Sequence, residues 1–164
     1  NALLERYPHL CVIKSISKSY GIPGLRLGIL CSADTGLVAR LKKEVSIWNI
    51  NSFAEFFMQI YPKYREDYAQ ACRQFIQTRE DFEAQLREIP FIRVMPSQAN
   101  YFFLEVLPPY RPKQLCALLL RKYNILASAC LAQKGIAPDR YMRITVRNHG
   151  DNEKLIQAFR ELAQ

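Results

Sequence analysis

The sequence predicts an α/β chain in which two strands and a long helical block lead into a β-β-α-β-β-α module. Three observations predict it. Apolar runs at residues 10–13 and 27–31 flank a polar, turn-rich stretch. Between 53 and 88 the apolar residues recur mostly in steps of three or four, the helical period. Over 141–146 apolar and polar side chains alternate, as in a strand with one buried face.

Residues 1–9 read as a short polar lead-in. Leu10-Cys11-Val12-Ile13 is rich in β-formers and predicts the first strand. Residues 14–25 read as a polar loop and 27–31 as the second strand. Ser32-Ala33-Asp34 supplies cap residues for a helix over 35–44, with Leu37, Val38, Leu41 and Val45 on one face. Trp48-Asn49-Ile50-Asn51-Ser52 breaks that pattern. The helical stretch that follows carries Phe53, Phe57, Ile60, Tyr64, Tyr68, Phe82 and Leu86, and Pro62 should kink or divide it. Arg79, Glu80, Asp81 and Arg87 predict a wet outer face.

After Pro90 the texture changes. Residues 91–95 and 101–106 predict a hairpin joined by Pro96-Ser97-Gln98-Ala99-Asn100 and ended by Pro108-Pro109. A helix over 112–122 follows, with Leu115, Leu118 and Leu119 inward. Ile125-Leu126-Ala127 predicts a short strand and 129–140 a loop. In the strand over 141–146, Met142, Ile144 and Val146 face one side, and Arg143 and Thr145 the other. A last helix begins near Asp151, with Leu155, Ala158, Phe159 and Leu162 at helical spacing.

The 164 residues are 49% apolar and 23% charged, which suits one globular domain or a piece of a larger one and excludes a disordered chain. No apolar run approaches the ~20 residues of a membrane span, and no signal pattern opens the chain. It begins Asn-Ala-Leu-Leu-Glu, without methionine, as a piece of a longer chain would. The formal net charge is +8, but the basic residues are scattered, with no run longer than Lys42-Lys43. That pattern predicts a solvated basic surface or sites for small anions rather than nucleic acid. The five cysteines (Cys11, Cys31, Cys72, Cys116, Cys130) are odd in number and form no Cys-x-x-Cys, and His9 and His149 are far apart. No metal site or disulfide scaffold is expected, and reduced cysteines suit a cytoplasmic protein.

The chemistry concentrates in Ser15-Ile16-Ser17-Lys18-Ser19-Tyr20-Gly21-Ile22-Pro23-Gly24-Leu25-Arg26-Leu27-Gly28. Lys18 brings an amine, Ser15 and Ser17 hydroxyls, and Arg26 a planar fork suited to phosphate. Gly21, Gly24 and Gly28 permit close backbone approach or positive φ. The set suits a phosphorylated aldehyde, whose carbonyl condenses with the amine. On residue types alone, the plainer reading is a basic surface connection between two strands. Ser15-Ile16-Ser17-Lys18 also fits the Ser-x-x-Lys pattern of penicillin-binding enzymes, but their Lys-Thr-Gly and Ser-Asp-Asn elements are absent from this sequence.

In its full form, Ser-x-Ser-Lys-x-x-Gly-x-x-Gly-x-Arg-x-Gly, the stretch resembles the lysine motif of fold type I pyridoxal-phosphate enzymes of aminotransferase class I/II. The nearest branch holds histidinol-phosphate aminotransferases and threonine-phosphate decarboxylases. The resemblance extends through Trp48-Asn49-Ile50-Asn51, Pro96-Ser97-Gln98-Ala99-Asn100-Tyr101-Phe102 and Tyr141-Met142-Arg143-Ile144-Thr145-Val146 to the closing helix. It implies the C-terminal portion of that fold: residues 1–45 ending the large cofactor domain and its sheet, 46–88 an interdomain helical segment, and 89–164 an α+β small domain. It also implies pyridoxal 5'-phosphate as cofactor, with Lys18 as the catalytic Schiff-base lysine that also moves the α-proton. Ser15, Ser17 and Arg26 would bind the cofactor phosphate, and Arg143 the substrate α-carboxylate. From the residues alone, Arg143 reads equally as a solvated outer residue, and Asn100 as a turn former.

The sequence departs from that branch at Ser128, which stands where its phosphate-using members carry an arginine, and this counts against a phosphorylated substrate. Arg140 and Arg147 are nearby replacements. Only fourteen residues precede Ser15, too few for the glycine-rich phosphate cup, the stacking aromatic and the pyridinium aspartate. A longer enzyme is expected, the 164 residues alone being inactive. The resemblance implies an aminotransferase that works on amino acid and keto acid substrates as a homodimer, without nucleic acid or membrane partners. The alternatives are an amino acid decarboxylase on the same scaffold and a non-catalytic ligand-sensing domain.

Overall fold

The computed structural model describes residues 2–130, 135, 137 and 139–164. The chain divides into two compact units, 1–70 and 71–164. The division falls inside the long helix. Phe57, Tyr61 and Tyr68 pack around Tyr20 within the first unit.

In the first unit, α1 (Ala2–Arg6) takes up the expected polar lead-in. Strands β1 (Cys11–Ser15) and β2 (Gly28–Ser32) pair antiparallel, from Cys11 opposite Ser32 to Ser15 opposite Gly28. The stretch between them is not one loop. It holds a single helical turn, α2 (Ile16–Ser19), and a 3-10 turn at Pro23–Leu25. Helix α3 (Thr35–Glu44) starts where Asp34 accepts the Leu37 amide (2.8 Å). Helix α4 (Ser52–Ile60) starts where Asn51 accepts the Ala54 amide (3.0 Å). Pro62 divides the helical stretch as expected, within a 3-10 turn at Tyr61–Tyr64 that leads into α5 (Arg65–Arg87). Tyr20 meets Phe57, Tyr61 and Tyr68 at ring centroid separations of 4.6–5.8 Å. Among the described residues of this unit only Ile16, Ser17 and Ala54 are buried.

The second unit holds the core. Strands β3 (Ile92–Val94), β4 (Tyr101–Val106), β6 (Tyr141–Thr145) and β5 (Ser128–Cys130) form one antiparallel sheet in the order β3-β4-β6-β5. Phe102 and Leu104 on β4 and Met142 and Ile144 on β6 point to one face by strand alternation. They join Phe82 and Leu86 of α5, Leu115 and Leu119 of α6 (Pro112–Tyr123), and Ile156 and Phe159 of α7 (His149–Leu162) in a single buried cluster. Truncating one such side chain to alanine costs about 2–5 kcal/mol.

Three expectations fail here. The strand expected at 125–127 lies three residues later, at β5. Asn124 adopts the left-handed conformation (φ 56°), and the Ile125 amide bonds back to the Leu119 carbonyl (3.0 Å). Residues 124–127 thus finish α6, and Ile125 and Ala127 pack on the core. The loop expected at 129–140 begins with that strand; residues 131–134, 136 and 138 lie outside the described residues. Arg79 is not part of a wet face, since its side chain is 14% exposed. All five cysteines are free thiols. Among the described residues no helix is long and apolar enough to cross a membrane.

Candidate active site

The first unit presents the lysine motif on a turn built from its own sequence. β1 ends at Ser15, whose extended backbone opens α2. The Ser15 and Ser17 hydroxyls share a hydrogen bond of 2.7 Å. Ser17 is buried, and Lys18, next along the turn, is exposed. The Tyr68 hydroxyl donates to the Ser19 carbonyl (2.7 Å), and the Asn51 amide group donates to the Leu25 carbonyl (2.9 Å). Helices α4 and α5 thereby tie down both ends of the motif.

Among the motif's glycines only Gly21 uses positive φ (68°); Gly24 and Gly28 do not. The residue that takes the unusual backbone is Arg26, at φ 51° and ψ 41°, with Nη1 donating to the Pro23 carbonyl (3.1 Å). A non-glycine residue held there is strained, by about 1–3 kcal/mol. Ser15, Ser17, Lys18 and Arg26 therefore share one short segment, with an amine, two hydroxyls and a guanidinium.

The second unit carries Arg143 on the outer face of β6. Its register partners are Phe103 on β4 and Ser128 on β5. Its guanidinium carbon lies 5.2 Å from the centroid of the Tyr101 ring, a cation–π distance. Among the described residues no carboxylate pairs with Arg143, whereas its neighbours are all committed. Arg147 Nε donates to Asp151 (2.7 Å), and Arg93 (2.8 Å) and Arg140 both pair with buried Glu105. Glu105 raises the pKa of Arg140 further. Arg140 is thus spent and does not replace the arginine missing at Ser128. Arg147 is the better placed of the two. It lines the same cleft of about 450 Å³ as Ser128, Arg143, Thr145 and Asn152. Buried Asn152 clamps the Arg147 backbone, accepting its amide (2.9 Å) and donating to its carbonyl (3.0 Å). Arg147 also holds the Asp151 carboxyl below its ordinary pKa.

Asn100 contributes its backbone, its carbonyl accepting the Val146 amide (2.9 Å). Sequence reasoning missed Tyr101, Arg79 and Tyr68. Tyr101 shares the outward parity of Arg143 across a predicted sheet, but pairing it with Arg143 requires the register.

The family model for aminotransferase class I and II matches residues 1–160. The chain belongs to this family, whose members are pyridoxal-phosphate-dependent enzymes acting on small molecules. It is 37% identical to the CMP-5'-(3-aminopropyl)phosphonate synthase of Streptomyces rubellomurinus, over 97% of this chain and 25% of that protein. It is 31% identical to the threonine-phosphate decarboxylase of Salmonella typhimurium, over 97% of this chain and 43% of that one. The fold matches a histidinol-phosphate aminotransferase of Clostridium acetobutylicum with a TM-score of 0.88 at 24% identity, over 99% of this chain and 46% of that one. The chain thus spans between a quarter and a half of these proteins' lengths.

Proposed function

We propose that the protein is a pyridoxal-phosphate enzyme that breaks a bond at the α-carbon of an amino acid, one bearing a phosphorus oxyanion as the names of its relatives suggest, with Arg147 in the cleft standing in for the arginine absent at Ser128. The observation that carries this reading is the gathering of Lys18, Ser15, Ser17 and Arg26 in the short segment that runs from the end of β1 to the start of β2. The donor set fits the cofactor: an amine for its aldehyde, and two hydroxyls and a guanidinium for its phosphate. When bound, pyridoxal phosphate supplies a carbonyl that condenses with amines and a ring that draws electrons from the α-carbon. Lys18 would hold the cofactor through its amine, and its Nζ would move the proton at the α-carbon. Ser15, Ser17 and Arg26 would hold the phosphate. Arg143, with no carboxylate partner of its own among the described residues, takes the substrate carboxylate through its planar fork. Residues 1–45 belong on this reading to the cofactor domain and 89–164 to the small domain, in a homodimeric, cytoplasmic whole.

Transamination and decarboxylation would use the same residues and differ in which bond at the α-carbon is broken. The motif itself does not separate the two. The relatives point both ways: one is a threonine-phosphate decarboxylase and another is named for an aminopropylphosphonate product, whereas histidinol-phosphate aminotransferases are 29% and 30% identical to this chain. The test is Lys18→Ala in the whole protein. A visible absorbance band formed with pyridoxal phosphate should be present in wild type and lost in the variant. A folded wild-type protein that develops no band would sink the enzyme reading and leave a ligand-sensing domain. Release of CO2 or of a keto acid from phosphorylated amino acids then separates the two reactions.

A further inference from the structure

Arg79 lies on α5, far in sequence from every residue assigned above, and its setting is unusual. Its side chain is 14% exposed, and its Nε is buried without a hydrogen-bond partner among the described residues. Nη2 lies 3.6 Å from Glu80, a loose contact, while Nη1 donates to the Ser97 carbonyl at 2.6 Å. A buried guanidinium nitrogen left unmatched is a cost that folding seldom tolerates without return.

What Arg79 holds is the turn before β4. The Ser97 hydroxyl donates to the Tyr101 carbonyl (2.7 Å) and accepts the Ala99 amide (3.1 Å), which folds residues 97–101 around one side chain. The far end of that turn is pinned to β6, where Asn100 accepts the Val146 amide. Tyr101 comes next, and its ring lies against Arg143. A continuous path of contacts therefore runs from α5 through Ser97 and Tyr101 to Arg143.

We propose that Arg79 is a positioning residue which, through Ser97 and Tyr101, sets the guanidinium of Arg143 for an incoming carboxylate. This rests on the carboxylate role given to Arg143 above. The physical reason is directional: a fork accepts a carboxylate in two parallel hydrogen bonds only within a narrow range of orientations. A ring 5.2 Å from the guanidinium carbon restricts the freedom of the fork to turn. The ring is itself steady only if the turn that carries it is steady.

The test uses the whole protein loaded with pyridoxal phosphate and two probes, O-phospho-L-serine and O-phosphoethanolamine, which differ only in the α-carboxylate. Arg79→Met should weaken phosphoserine binding by roughly threefold to tenfold, the scale of one cation–π contact or hydrogen bond, and leave phosphoethanolamine unchanged. Arg79→Lys, which can still donate to the Ser97 carbonyl, should restore most of the affinity. Tyr101→Leu should give the same selective loss without touching α5. In an Arg143→Gln background, Arg79→Met should add nothing. Equal losses for both probes, or none in either the Arg79 or the Tyr101 variant, would overturn the inference. If Arg143→Gln alone leaves phosphoserine binding intact, the carboxylate role falls and the inference with it. If wild type binds neither probe, it is the substrate class that fails.

Discussion

Arg26 occupies a backbone conformation that glycine adopts freely and arginine does not. Two glycines stand within two residues of it, yet the left-handed position goes to the arginine. Backbone strain kept at a cationic residue fits the phosphate-binding role proposed for it. Arg26→Gly should therefore separate stability from binding. The variant should be as stable as wild type or more so, by up to about 1 kcal/mol in denaturant unfolding. Its affinity for pyridoxal phosphate in the whole protein should fall by roughly tenfold or more. A parallel loss of stability and affinity would show that the arginine serves only the fold. Arg143 makes the same point from the opposite side. Among the described residues it has no carboxylate partner, while Glu105 and Asp151 occupy its neighbours.

Among the elements, α7 shows how a helix start can also shape a cleft. Asn148 caps it by accepting the Asp151 amide (2.9 Å), and Asp151 in turn receives Arg147. An acidic residue in the first turn suits the helix dipole, and the Arg147 hydrogen bond lowers the Asp151 pKa further. Because the folded-state pKa is depressed, the stabilisation from Asp151 is present above its ordinary carboxylate pKa. It is lost as pH falls through the folded value. Thermal melts of Asp151→Asn should accordingly show a shallower loss of stability in the acid range than wild type, and an unchanged slope would refute the pairing. The strands teach a different lesson. The alternation over 141–146 was legible because each residue alone declares its side. β5 was not: Ile125-Leu126-Ala127 has strand composition, but those residues complete the cap of α6, and pairing begins at Ser128. The helical turn at Lys18 was hidden because four residues are too few to show a period.

In the molecule as a whole, apolar burial is distributed unequally. The second unit encloses a continuous core, while every residue of β1 is exposed and Ile13, Ile47, Trp48 and Phe53 lie open to solvent. A two-stranded sheet without a buried face is marginal in water. Hydrogen exchange on the 164-residue chain should therefore find the amides of β1 and β2 exchanging far faster than those of β4 and β6. Equal protection in the two units would contradict this. Within this chain the lysine motif is tied by side-chain hydrogen bonds from Tyr68 and Asn51.

By itself the sequence determined the family, the lysine motif, the antiparallel module and the side of the strand on which Arg143 lies. Those properties are local: residue order in a motif, a period of two or of three to four, a proline that ends a helix. Only the tertiary structure decided how the arginines are paired among the described residues. Arg140 and Arg147 are equivalent in sequence until Glu105 claims the first, and Asp151, beside the cleft, the second. Arg79 reads as surface until the turn at Ser97 folds onto it. Such pairings join residues far apart in the chain, and register and packing, rather than composition, bring them within hydrogen-bond reach.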